Sequence, residues 1–342
     1  MGKLAIIGLG LIGSSMGLAL RRAEPVNTEI VGFDKDADIG AVAFQMGAVQ
    51  RLAPTLRDAV ADATMIIVAT PIISIRGVFE KIAPHLQKGA VVTDTASTKA
   101  DVMRWARDTL PPGVHFVGGH PMAGKEQAGP GAAEPSLFDG RPYCIVSSGD
   151  VMPGAVSAVE NLAKAVEAEP FFLDAEEHDS YAAAISHVPL IASIGLFNLA
   201  RSSIAWRELA NMAGPGFRDL TRLASGEPGM AHDICLTNRE NILHWINRYI
   251  GELQRLADQV EQGEPQALYR ILAETQMERD NFLVSPPKRE PEGKDVDLPN
   301  AGEAFMDSMI GGYWRNRATE MTSALEERAK ARSREERLRR RD

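Results

Sequence analysis

The segment Gly8-Leu9-Gly10-Leu11-Ile12-Gly13 follows the apolar run Leu4 to Ile7 and opens a helical pattern. In that setting a G-x-G-x-x-G turn brings backbone N–H groups and a helix N-terminus to the pyrophosphate of a dinucleotide. Asp34 ends the next apolar run, 21 residues beyond Gly13. A carboxylate there accepts hydrogen bonds from the adenosine ribose and repels a 2′-phosphate, so NAD is expected over NADP, with neighbouring Lys35 softening the preference. Thr70-Pro71 lies just past another apolar run. It either lines the nicotinamide or simply ends a strand.

A bound nicotinamide implies hydride transfer, and oxidising a carbinol needs a group to take the hydroxyl proton. The chain has seven histidines. His120 stands out because it follows a predicted strand and sits between Gly119 and Pro121 on a short, constrained loop. His85, His115, His178, His232 and His244 lie in ordinary helix or strand patterns or beside acidic neighbours, and read as surface or capping residues. His187, in Ser186-His187-Val188-Pro189, either joins the site from behind or caps a helix with Ser186. Ser97, in Asp94-Thr95-Ala96-Ser97-Thr98-Lys99, either hydrogen-bonds the reacting hydroxyl and orients His120, or N-caps the helix that starts near Lys99. Arg218 and Arg222 supply cations for an acidic substrate. Arg222 is the chosen carboxylate clamp, its alternative being a salt bridge to Asp219.

The elements that must position these residues follow from the hydropathy pattern. Up to about residue 173, short apolar runs alternate with amphipathic stretches, which predicts an α/β fold with a doubly wound parallel sheet. Strands are expected at Leu4 to Ile7, Glu29 to Phe33, Met65 to Ala69, Ala90 to Asp94, Val114 to Val117, Tyr143 to Ser147 and Glu169 to Leu173. Helices are expected at Leu11 to Ala23, Ile72 to Ala83, Lys99 to Thr109 and Gly154 to Ala168. From 174 to 284 the pattern is helical throughout. A helix from Ser186 to Ile204, apolar around most of its girth over Ile191 to Leu199, should be buried on most sides and predicts a subunit interface. Residues 285–342 read as a Pro-rich charged linker, a short docking helix around Phe305 to Trp314, and a basic end.

At 342 residues, two domains and a tail are expected. A net charge of −9 argues against a general nucleic-acid binder, although the last 17 residues carry eight basic and five acidic side chains. Cys144 and Cys235 cannot build a disulfide framework, which fits a reducing cytosol. Lys3 and the run Leu4 to Leu20 could pass for a signal peptide, but the spaced glycines, Ser14-Ser15 and the absence of a cleavage site before Arg21-Arg22 speak against it. No other segment is expected to approach the roughly 18 apolar residues that span a bilayer. No metal site is expected.

Taken together, the glycine turn, Asp94 to Lys99, Gly118 to Glu126, Ser186 to Pro189 and Phe217 to Arg222 resemble the prephenate and arogenate dehydrogenases of tyrosine biosynthesis. The resemblance spans about residues 1 to 280. It implies a Rossmann domain joined to a helical dimerisation domain, and NAD(P)-dependent oxidative decarboxylation of a cyclohexadienyl substrate. His120 would be the general base, Ser97 would assist the hydroxyl, and Arg222 would bind a carboxylate. Glu126, Ser186 and His187 would border the substrate. Many relatives carry a second histidine where this chain has Leu190, which leaves prephenate against arogenate open. The tail reads as too short for an ACT-type regulatory domain, so neither that nor a fused chorismate mutase is expected. A β-hydroxyacid dehydrogenase would need a lysine between Ser186 and Ser203, and there is none. A noncatalytic NAD-sensing protein would need neither His120 nor Arg222.

Overall fold

The computed structural model describes residues 2–23 and 28–287. Eight strands form one sheet: β1 (Gly2–Ile7), β2 (Thr28–Phe33), β3 (Arg51–Leu52), β4 (Met65–Val68), β5 (Val91–Asp94), β6 (His115–Pro121), β7 (Pro142–Val146) and β8 (Glu169–Leu173). Their order is β3-β2-β1-β4-β5-β6-β7-β8. The run Leu4 to Ile7 lies in β1, an interior strand between β2 and β4. The nucleotide-half helices are α1 (Leu11–Arg22), α2 (Ala37–Gln45), α3 (Leu56–Val60), α4 (Ile75–Ile82), α5 (Ala100–Thr109) and α6 (Pro153–Ala165). Alternation along β1 divides the core. Leu4 and Ile6 face one layer with Met16, Leu20 and Leu162, while Ala5 and Ile7 face the other with Ile75, Phe79 and Val102.

Two features depart from expectation. The pairing of β6 with β7 is antiparallel, because the link between them, residues 122–141, contains only the short 3-10 turn Pro130–Ala132 and no crossover helix to carry the chain back to the far edge. Those residues therefore stay at the carboxyl edge of the parallel strands. In addition, α2, α3 and β3 were not anticipated. They are short and largely solvent-facing, so they lack a strong apolar period.

The helical half contains α7 (Ala175–Ala182), α8 (Val188–Arg201), α9 (Trp206–Met212), α10 (Pro215–Thr221), α11 (Pro228–Thr237), α12 (Arg239–Gln262) and α13 (Pro265–Val284). A π-helical turn, Ala183–His187, joins α7 to α8, so no helix begins at Ser186 and neither Ser186 nor His187 is an N-cap. The continuous helix Ala175–Arg201 is 27 residues long with a window of mean hydropathy 1.6, long and apolar enough by length and composition to cross a bilayer. That overturns the expectation that no such segment exists. His, Ser and Pro interrupted the apolar run in the sequence, yet the helix continues through them, and its buried His178, Asp179, His187 and Ser193 all bond to other parts of this chain. Within one chain α8 is not buried on most sides: only Val188, Leu190 and Ser193 are, and Leu199 is 72% exposed. The linker beyond residue 287, the docking helix and the basic end lie outside the described residues.

Candidate active site

The glycine turn is built for close approach. Gly8 has φ +91°, and a Cβ there would sit 2.5 Å from the Ala69 carbonyl oxygen, so a side chain is excluded on both counts. At Gly10 a Cβ would meet nothing within 4 Å; the backbone there borders open space. Gly10 precedes α1, which has no side-chain N-cap and no acidic residue in its first turn, leaving the helix N-terminus suited to an anion. Leu9 N–H donates to Asp34 Oδ2 at 2.7 Å, and Asp36 N–H to Asp34 Oδ1 at 2.9 Å. The Asp34 carboxylate is thus locked against the turn with lone pairs to spare, and Lys35 beside it is exposed. A cavity of about 370 Å³ runs from Gly10, Leu11 and Ile12 past Thr70 and Pro71 to Ser97 and His120. Thr70 Oγ1 is buried without a hydrogen-bond partner. These features fit a dinucleotide.

An adjoining cavity of about 380 Å³ is lined by Ser97, His120, Glu126, Ser186, Leu190 and Arg222, among others. Ser97, His120 and Glu126 line both cavities. A larger cavity, about 500 Å³ around Arg107 and His115, lies at the amino end of β6, remote from the glycine turn. His120 is therefore at the junction of the two cavities that carry chemistry. It is not on a loop beyond a strand, as expected, but within β6, opposite Cys144. Gly118 and Gly119 broke the apolar pattern that marks a strand, while their backbones still pair with Val146 and Ile145. The Cys144 thiol is pushed up to about 11 by burial and is no nucleophile at neutral pH.

The base of the site is a buried ion pair that the sequence reading did not single out. Lys99 Nζ bonds to Asp94 Oδ2, both side chains fully buried, and also donates to the Gly119 carbonyl at 2.8 Å. Gly119 N–H donates in turn to Asp94 Oδ1 at 3.1 Å. Any Cβ on Gly119 would lie 2.5 Å from the Asp94 carbonyl oxygen and 2.7 Å from the Tyr143 hydroxyl. The residue before His120 is thus fixed through both its N–H and its C=O.

His178, set aside as a surface residue, is buried against His120. The rings meet at Nδ1 of His120 and Nε2 of His178, 2.8 Å apart, and His178 Nδ1 lies 2.8 Å from Asp179 Oδ1. Asp179 also accepts from the N–H groups of Lys99 at 2.6 Å and Ala100 at 2.9 Å. Asp179, not Ser97, therefore caps α5, and the capping alternative for Ser97 does not hold. Burial first, then the fields of His178, Lys99 and His187, hold the His120 pKa well below the ordinary imidazole range. The ring is neutral at pH 7 and able to accept a proton.

The remaining candidates divide. Arg222 pairs with Glu126 across the substrate-side cavity, not with Asp219. Ser186 lines that cavity, whereas His187 does not: its Nδ1 accepts from Asn238 Nδ2 at 3.1 Å, behind the cleft wall. Burial lowers its pKa to about 4. Among the described residues no group of His, Cys, Asp and Glu is arranged to hold a metal ion.

Comparison with known proteins bears on the family and the fold. Residues 16–171 match the family model "Prephenate dehydrogenase, nucleotide-binding domain", and residues 174–274 match "Prephenate dehydrogenase, dimerization domain". The glycine turn precedes the first matched stretch. Prephenate dehydrogenase of Bacillus subtilis is 32% identical over 86% of this chain and 80% of its own. The crystal structure of Synechocystis arogenate dehydrogenase is 28% identical, with a TM-score of 0.70 over 82% of this chain and 99% of its own. The fold is also that of a prephenate dehydrogenase from A. aeolicus in complex with hydroxyphenyl propionate and NAD+, at 24% identity and TM-score 0.77 over 82% of this chain and 98% of its own. The chain belongs to the prephenate dehydrogenase family.

Proposed function

We propose that this protein catalyses the NAD-dependent oxidative decarboxylation of prephenate to 4-hydroxyphenylpyruvate, or of arogenate to tyrosine. The observation that carries the reading is the position of His120, where a cavity bearing a dinucleotide fingerprint meets one bearing Arg222. Gly8 to Gly13, Asp34, Thr70 and Pro71 would hold NAD. Bound there, it supplies the acceptor for the hydride from the ring carbinol.

The chain's own residues do the rest. His120, neutral at pH 7, takes the proton from the ring hydroxyl as the carbon–oxygen double bond forms. Ser97, on the same wall, hydrogen-bonds that hydroxyl. Loss of carbon dioxide from the ring makes it aromatic, and the proton held by His120 returns to the phenolate oxygen. Aromatisation provides the driving force, so the protein's task is alignment and proton handling. Arg222 offers N–H donors to a substrate carboxylate while Glu126 orients its guanidinium. Ser186 and Leu190 border the substrate side chain.

The active form is a homodimer joined through the helical half, where Leu199, Met212 and Leu220 are strongly exposed in a single chain. Light scattering that shows only monomer at micromolar concentration overturns this. Two free thiols suit a cytosolic enzyme.

The test is reduction of NAD, followed by absorbance, with prephenate and with arogenate. The ratio of the two kcat/KM values assigns the substrate. A folded sample that binds NAD and turns over neither compound refutes the reading. His120→Asn is expected to lower kcat by about 10²- to 10⁴-fold while NAD affinity holds, and unchanged turnover removes His120 from the reaction.

A further inference from the structure

A histidine can serve as a base at Nε2 only while its proton sits on Nδ1, and nothing in an isolated imidazole ensures that. Asp179 is an acceptor in every contact its carboxylate makes: it takes hydrogen bonds from the N–H groups of Lys99 and Ala100 at the start of α5. Facing it at 2.8 Å, His178 Nδ1 must be the donor. On a neutral His178 that leaves Nε2 as a bare lone pair, and the atom it meets at 2.8 Å is His120 Nδ1. Only a proton on His120 Nδ1 completes the chain. The remaining nitrogen, His120 Nε2, is then the acceptor.

We propose that Asp179 and His178 are positioning residues that hold His120 as the Nδ1–H tautomer, with Nε2 bare for the substrate proton. They also spread the positive charge that His120 carries after taking the proton. The proposal rests on the reading of His120 as the base. No net transfer beyond His120 is involved: the substrate proton binds Nε2, the Nδ1 proton stays bonded to His178, and the Nε2 proton leaves again to the product oxygen.

The surroundings agree. His178 and Asp179 are 1% and 2% exposed, so water does not compete for these bonds. The two rings meet edge to face with centroids 5.0 Å apart. Other ionisable groups packed around the pair are Lys99 at the start of α5, Asp94 on β5 and His187 in the π-helical turn. Burial lowers the His178 pKa, its bond to Asp179 opposing, so the neutral ring the wiring requires prevails at pH 7. The π-helical turn begins four residues after Asp179, placing this dyad beside an irregularity of a kind common at functional sites.

The test has two parts. Ring 15N NMR of histidine-labelled wild-type protein reads the tautomer without substrate or turnover, so it stands even if the proposed reaction is wrong. His120 protonated at Nδ1 and bare at Nε2 is the expected result; protonation at Nε2 overturns the proposal. In the second part, His178→Phe keeps a ring but removes the acceptor, while His178→Gln keeps an acceptor near the Nε2 position. In the Ser-His-Asp triad, a wrong histidine tautomer lowers kcat by about 10⁴. Here the Phe variant is expected to lose about 10²- to 10⁴-fold in kcat, with KM and NAD affinity little changed. The Gln variant should stay within about tenfold of wild type. Equal losses in the two variants, or a folded NAD-binding Phe variant with undiminished kcat, overturn the proposal. Should the Phe variant fail to fold, the wild-type spectrum decides alone.

Discussion

Replacing Lys99 by Met tests whether the base of the site is held by charge. Lys99 and Asp94 are both fully buried, so removing one partner strands the other in a medium that solvates it poorly. Breaking such a pair destabilises by about 3–5 kcal/mol. Asp94 would keep two backbone donors, Ala96 N–H at 2.9 Å and Gly119 N–H at 3.1 Å, which places the expected loss near the lower bound, about 3 kcal/mol. The Gly119 carbonyl also loses its 2.8 Å partner, so the deficit is not expected to fall below that bound. Against a typical total of about 5–15 kcal/mol, this is large. Thermal unfolding by circular dichroism, at fixed protein concentration, should show a drop of roughly 6–12 °C, taking 2–4 °C per kcal/mol. The decisive comparison is a double-mutant cycle. Asp94→Asn with Lys99→Met removes both charges and should recover at least about 1 kcal/mol relative to Lys99→Met alone. A single variant within about 1 kcal/mol of wild type, or strictly additive single effects, refutes the reasoning.

Acid stability follows from the buried histidines. His120, His178 and His187 all have folded-state pKa values below the ordinary imidazole value, chiefly through burial. Their contribution is therefore fully present above pH 6.5 and is lost as the unfolded chain takes up protons below it. His187 alone, lowered from 6.5 to about 4, accounts for about 3 kcal/mol across that window. Urea midpoints at pH 7.5 and 4.5 should differ accordingly, and equal midpoints contradict the assignment. At the cofactor site, Asp34→Asn should raise the NADP-to-NAD ratio of kcat/KM by about tenfold, equivalent to 1.4 kcal/mol for the removed repulsion. An unchanged ratio means that Asp34 does not set the preference.

The glycine turn, Asp34, His120, Ser97 and Arg222 could be singled out because the local sequence marks each one: a glycine rhythm, the end of an apolar run, a pair of glycines breaking a strand pattern, a cation among helical segments. The structure places His120, Ser97 and Arg222 on the walls of the two cavities. His178 was not singled out. Glu176, Glu177 and Asp179 around it suggest a solvated surface, and only the three-dimensional contact with His120 reverses that. A weaker signal was present. His178 with Ala182, and Asp179 with Ala183, are i, i+4 pairs, and all four residues are buried. Small alanines one turn on mark the face that packs, but they carry little weight beside three carboxylates. The antiparallel return of β7 was hidden for a different reason. Strand direction is set by the link, and the absence of a helical period in residues 122–141 was the cue.

The two halves of the molecule meet in a way that lets the helical half shape the candidate site. Asp179 of α7 caps the start of α5, directly after the segment that carries Ser97 and Lys99. Asp233 of α11 accepts from Ile73 N–H at 3.2 Å, just past Thr70-Pro71. Between them, Thr98 and Thr237 share a hydroxyl hydrogen bond of 2.9 Å. Asp179 occupies the positive end of α5 and Asp233 that of the 3-10 turn Ile72–Ser74, where backbone N–H groups would otherwise lack partners. The loops after β4 and β5, which line the cofactor cavity, therefore take their geometry from the helical half, and His120 takes its bonding partner from there as well. The sheet and glycine turn by themselves carry the dinucleotide fingerprint but no partner for the His120 ring. On the proposed reading, the base becomes directional only when α7 packs against α5.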